Sequence, residues 1–117
     1  MKLKEIENKL VKVVVETNQE FISAVSDSII RCSRVITLFP DDELSARVDC
    51  VNRDCTANGF NLTNEVWRAI QSVDKETTGR MRCAGKEDEK YRSKGKMHRR
   101  GCACDTTLYY RITVTNA

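Results

Sequence analysis

The chain has 117 residues, a formal net charge of +3, 40% hydrophobic residues and 32% charged residues. This is one domain's worth of chain, too apolar to be disordered and too interrupted by charge to cross a bilayer as a helix. So slight a basic excess means that any affinity for nucleic acid must come from where the cations sit rather than from their sum.

The first residues, Met1-Lys2-Leu3-Lys4-Glu5, carry charge where a secretory signal would have an apolar core, so the expected compartment is the reducing cytoplasm. There the six cysteines are expected as metal ligands or small core side chains rather than disulfides, with an oxidised, exported chain as the alternative. The sequon Asn61-Leu62-Thr63 then reads as turn residues. No membrane association is expected.

From the N-terminus, Leu3, Ile6, Leu10 and Val13 lead into Phe21, Val25, Ile29, Cys32 and Ile36, a stripe at steps of three and four that predicts an amphipathic helix. Thr17 and Glu20 have the spacing of a capping box. Either one long or slightly broken helix runs from about residue 2 to Leu38, or a short helix and a strand precede the capped helix, since Val13-Val14-Val15 is a β-branched run. The first form keeps the stripe in phase, and a stripe that long in so small a chain predicts a homodimer built by the helix. Cys32 lies on this stripe and is expected to pack as a small hydrophobe.

Pro40, followed by Asp41-Asp42-Glu43, marks a boundary between a helical segment (1–40) and a compact cysteine-rich module (41–117). In the module, Ala46, Val48 and Cys50 alternate with polar neighbours, and Asn58-Gly59 supplies a hairpin turn before Phe60 and Leu62. Thr63 or Asn64 is placed to cap a short helix with Val66, Trp67, Ile70 and Val73 on one face, and Gly79 is expected where the chain leaves it. Leu108, Tyr110, Ile112 and Val114 alternate with Tyr109, Arg111, Thr113 and Thr115, the pattern of a half-buried strand. The predicted fold class is therefore α+β, an N-terminal helix followed by a small sheet module with one short helix.

Cys50 and Cys55 flank a four-residue polar loop, Cys83 sits beside a turn, and Cys102 and Cys104 share the parity of the inward face of the last strand. Thiolates in such numbers suit Zn2+ in a closed tetrahedral, structural site. A hairpin with a cysteine knuckle and a distant second pair resembles a zinc ribbon over residues 46 to 115, although the spacings at 50/55 and 102/104 depart from the usual two intervening residues. Four of Cys50, Cys55, Cys83, Cys102 and Cys104 are the expected ligands, with His98 in reserve. The same cysteines as buried hydrophobes are the alternative.

Between the presumed ligands runs a basic loop, residues 86–100. There Lys90, Arg92, Lys94, Lys96, Arg99 and Arg100 are placed to meet phosphates and Tyr91 to stack on a base, with Glu87, Asp88 and Glu89 partly neutralising them. No phosphate loop, serine elbow or His-x-Glu partner to the cysteines is present, and His98 has no orienting group in sequence, so no enzymatic activity is expected. Two function classes follow. One is a zinc-stabilised regulatory protein that binds nucleic acid through the basic loop. The other is a protein-interaction module, a small inhibitor or adaptor, with a structural zinc and no affinity for nucleic acid.

Overall fold

The computed structural model describes residues 1–22, 29–51, 59–83 and 106–117. After a 3-10 turn at Leu3–Glu5, the chain forms β1 (Leu10–Ile22), β2 (Ile29–Leu38), β3 (Arg47–Val48), β4 (Phe60–Asn61), α1 (Thr63–Gln71), β5 (Glu76–Arg82) and β6 (Thr107–Asn116). Strands β2, β1, β6 and β5 make one antiparallel sheet in that order, and β3 and β4 a separate two-stranded ribbon.

The expected α+β class with an N-terminal helix is therefore corrected: the described chain is mostly β, residues 10–22 and 29–38 are strands, and α1 is the sole α-helix among the described residues. The helical stripe on which the homodimer was expected does not exist. The stripe arose by counting across two strands: Phe21 is buried at the end of β1, while Ile29 is exposed at the start of β2, and the step of three from Ile29 to Cys32 changes the face of a strand. Val13, Val15, Thr17, Gln19 and Phe21 of β1 are all buried, an alternation that a helix would not produce. Thr17 and Glu20 form no capping box. Thr17 Oγ1 donates to Arg34 O at 3.2 Å, and Glu20 pairs with Arg31 across the strands. The long antiparallel pairing runs from Val13 opposite Leu38 to Ile22 opposite Ile29.

β6 lies beside β1, Gln19 facing Leu108 and Val13 facing Val114, so residues on both sides of Pro40 build a single sheet. One face of that sheet is closed. Val13, Val15, Leu108, Ile112 and Val114 pack there with Val66, Ala69 and Ile70 of α1, with Val48 and Phe60 of the ribbon, and with Leu3 of the N-terminal turn. Leu3 is held by backbone bonds of the turn to the Pro40–Leu44 segment, and Lys4 Nζ meets Asp41 Oδ1 at 2.8 Å.

The short elements follow their local chemistry. Gly59, at φ 95°, occupies the left-handed region open to glycine, and a Cβ there would lie 2.8 Å from Asp49 Cα. α1 begins at Thr63, whose Oγ1 accepts from Ala46 N (3.2 Å) and so ties the helix to the ribbon instead of capping it. Val73 lies beyond the helix and is exposed. Gly79 is not a helix exit but the middle of β5, where the Tyr110 ring lies over it and a Cβ would sit 2.5 Å from Tyr110 Oη. No described helix is long and apolar enough to cross a membrane.

Candidate functional site

Among the described residues, two places gather chemistry-bearing side chains, one at an end of the closed face and one on the open face. The first holds cysteines. Cys50 Sγ donates to Thr106 Oγ1 at 3.4 Å, while Cys83 N donates to Thr106 O at 3.0 Å. Thr106 thus joins the segment after β3 to the end of β5. It also lies two residues beyond Cys104. Cys83 is buried within the core and Cys50 is half-buried against it.

Gln19 fixes the Cys50 segment in place. Its fully buried side chain donates from Nε2 to Asp49 O and accepts at Oε1 from Val51 N, both at 2.8 Å, in the manner of one rung of a β-ladder. A buried amide whose donor and acceptor are both used in this way costs little to bury and would be expensive to leave unpaired. Cys32 stands directly opposite Gln19 on β2. It is half-buried rather than a core residue, and it lines a cleft of about 420 Å3 with Arg34, Arg47, Asp49 and Cys50.

Of the expected ligands, Cys50 and Cys83 are thus brought to a common neighbour, while Cys55, Cys102, Cys104 and His98 lie outside the described residues. No cluster of three or more His, Cys, Asp or Glu side chains is placed to hold a metal among the described residues. The expected nucleic-acid contacts of the basic loop, Lys90, Tyr91, Arg92, Lys94, Lys96, Arg99 and Arg100, also lie outside them.

The second place is the open face. Strand register arranges its side chains in rows. Ser33, Asn18, Tyr109 and Arg80 form one row, and Val35, Glu16, Arg111 and Thr78 the next. On the other side of Tyr109 runs the row Arg31, Glu20, Thr107 and Arg82. Residues opposite each other in a row have Cβ atoms about 4.5–5.5 Å apart. Tyr109 is 42% exposed although it sits in the interior of the sheet, because nothing described covers this face.

Charge on the face is only partly neutralised. Arg111 Nε meets Glu76 Oε1 at 3.4 Å, and Arg31 Nε meets Glu20 Oε1 at 3.3 Å. Arg80, Arg82 and Glu16 have no ion-pair partner among the described residues. A shallow depression of about 580 Å3 is bounded by Glu16, Asn18, Thr78, Arg80, Tyr109 and Arg111. The ring of Tyr110 beneath it belongs to the closed side, where burial, helped by the charge of Glu65, raises the phenol above its ordinary pKa.

The sequence reading missed this face. The signal was nonetheless present in the alternation: in β6 the positions between the core residues are Tyr109 and Arg111, and in β5 Arg80 and Arg82 flank Met81. These are the solvent-facing positions of the two strands, where charged and polar side chains stay in water. The chain matches no known family model, no curated protein and no solved structure.

Proposed function

We propose that the chain is a small, non-enzymatic nucleic-acid-binding protein that lays a single strand across the open face of its sheet. The observation that carries this reading is Tyr109, exposed in mid-sheet beside Arg80, with Arg82 and Arg111 in the flanking rows. An exposed ring offers a stacking surface to any base, and guanidinium groups spaced by one strand supply contacts to the phosphates on either side. The basic segment 86–100 adds to this reading by composition alone: it follows β5 in sequence and carries Lys90, Arg92, Lys94, Lys96, Arg99 and Arg100, cations suited to phosphates.

The cysteines take the supporting role of a structural Zn2+ site in a reducing, cytoplasmic setting. Cys50 and Cys83 meeting at Thr106, next to the segment that carries Cys102 and Cys104, support that assignment. Metal analysis of protein purified without chelator is expected to give zinc bound to each chain, and metal-free protein of unchanged melting temperature would refute it.

The binding test is affinity for single-stranded oligonucleotides as a function of salt. Binding should weaken steeply as salt rises, and removal of Arg80 or Arg82 should flatten the slope by about one unit each. A second reading rests on β2, an edge strand of ten residues with Ile29, Ile30 and Val35 exposed, to which a protein strand could add. Absence of oligonucleotide binding at low salt would transfer the function to that edge.

A further inference from the structure

Resting on the single-strand reading above, we infer that the depression beside Tyr109 is a base-reading subsite selective for guanine, with Glu16 and Asn18 as the reading groups. Glu16 is the element that does not fit a plain phosphate track. It stands in the middle of the face, directly opposite Arg111, yet Arg111 is engaged by Glu76 and Glu16 has no ion-pair partner among the described residues. A carboxylate there repels phosphate. Of the two parts of a nucleotide, the phosphate is steered towards Arg80 and Arg82, and the base is left to enter the depression.

Asn18 is directly opposite Tyr109 and one row from Glu16. Its Oδ1 accepts from the Ser33 hydroxyl, which fixes the amide and leaves its NH2 group as the donor presented to a ligand. The subsite therefore shows a carboxylate, with two acceptor oxygens, beside one amide donor. Guanine is the base with the matching edge, since its N1–H and N2–H2 are adjacent donors that a carboxylate takes together, and its O6 is an acceptor for the amide. Adenine and cytosine each offer one exocyclic amine beside a ring acceptor, which would face a carboxylate oxygen across the ring nitrogen. Thymine and uracil place acceptors on both sides of their one N–H. Only guanine engages both oxygens of Glu16 without opposing lone pairs, while its ring stacks on Tyr109.

The test uses the full chain and fluorescently labelled oligothymidylate, alone or with one central thymine replaced by guanine, adenine or cytosine. The guanine strand is expected to bind about tenfold more tightly than the other three, a bidentate pair's usual discrimination. In Glu16→Gln the carboxylate pair of acceptors is lost. That variant should bind all four strands alike, with affinity for plain oligothymidylate retained or raised. Asn18→Ala should lower the preference for guanine without abolishing it. Both positions lie on the exposed face, and circular dichroism of each variant confirms that the fold persists. Equal affinity of the unaltered protein for the four strands, with steep salt dependence, would overturn guanine selection and leave the single-strand reading standing. Guanine preference that survives Glu16→Gln would overturn the assignment to Glu16. No binding of any strand at low salt would remove both.

Discussion

The two faces of the four-stranded sheet are built from the same strands in alternate residues and have opposite fates. On the closed side Val13, Val15, Leu108, Ile112 and Val114 lie under α1 and the ribbon. On the other, Glu16, Asn18, Tyr109, Arg80 and Arg111 stand in register with nothing described above them. The contrast separates two demands on one strand. The closed face has to reach near-crystalline packing density, so its residues are aliphatic and interchangeable only at a cost in stability. On the open face nothing described packs against the side chains, so they are free to differ in chemistry, and the proposed single-strand contact rests on that aromatic and those arginines.

That division can be broken hardest from the closed side. Ile112→Ala removes a fully buried side chain at the centre of the core and is expected to destabilise by about 3 kcal/mol, measured by denaturant unfolding. Next comes the seam between sheet and cysteine segment. Gln19→Leu keeps much of the volume but strands Asp49 O and Val51 N, at a cost of about 2 kcal/mol. Unlike the Ile112 change, it should also act locally, raising hydrogen exchange at Val51 and the alkylation rate of the Cys50 thiol.

On the open face the ranking of effects reverses. Tyr109→Ala should change stability by no more than about 0.5 kcal/mol, as exposed substitutions usually do, yet weaken single-strand binding about tenfold. A large loss of stability in that variant would mean that the ring is packed, and the contrast between the faces would fail.

The smallest effect is expected at the exposed pair between Lys4 and Asp41. The Lys4 ammonium, hydrogen-bonded to Asp41, holds that carboxyl below its ordinary pKa. A carboxyl depressed in the folded state adds stability above its unfolded pKa and loses it as pH falls through the folded value. Asp41→Asn should therefore flatten the acid limb of the stability curve slightly, and added salt should erase the difference because both groups are solvated.

Much of the C-terminal half was legible without coordinates. β6 was readable from its alternation and α1 from the spacing of Val66 and Ile70, whereas the ribbon pairs Val48 with Phe60 and is not the tight hairpin expected at Asn58-Gly59. Local signals of this kind depend on neighbours in sequence. The N-terminal half was misread because a stripe counted through Phe21 and Ile29 bridges two paired strands, Phe21 buried at the end of β1 and Ile29 exposed at the start of β2, and the Thr17 and Glu20 pair mimicked a cap. The clues to strand were Val13-Val14-Val15, Ile29-Ile30 and Val35-Ile36-Thr37, β-branched runs that crowd a helix and suit a pleated sheet.

What the sequence determined by itself was the set of elements whose hydrophobic period admits a single geometry, together with the chemical types of the site residues: thiols near two turns, and cations in number. Which residues face one another was decided by tertiary structure. The pairing of β1 with β6 joins segments from opposite ends of the chain, and it alone places Glu16 opposite Arg111 and Asn18 opposite Tyr109. The same pairing puts Leu108 beside Gln19, while Gln19 and Thr106 hold the Cys50 segment beside Cys83. Register is set by burying one whole face of every strand at once, a collective condition that no local window of residues contains.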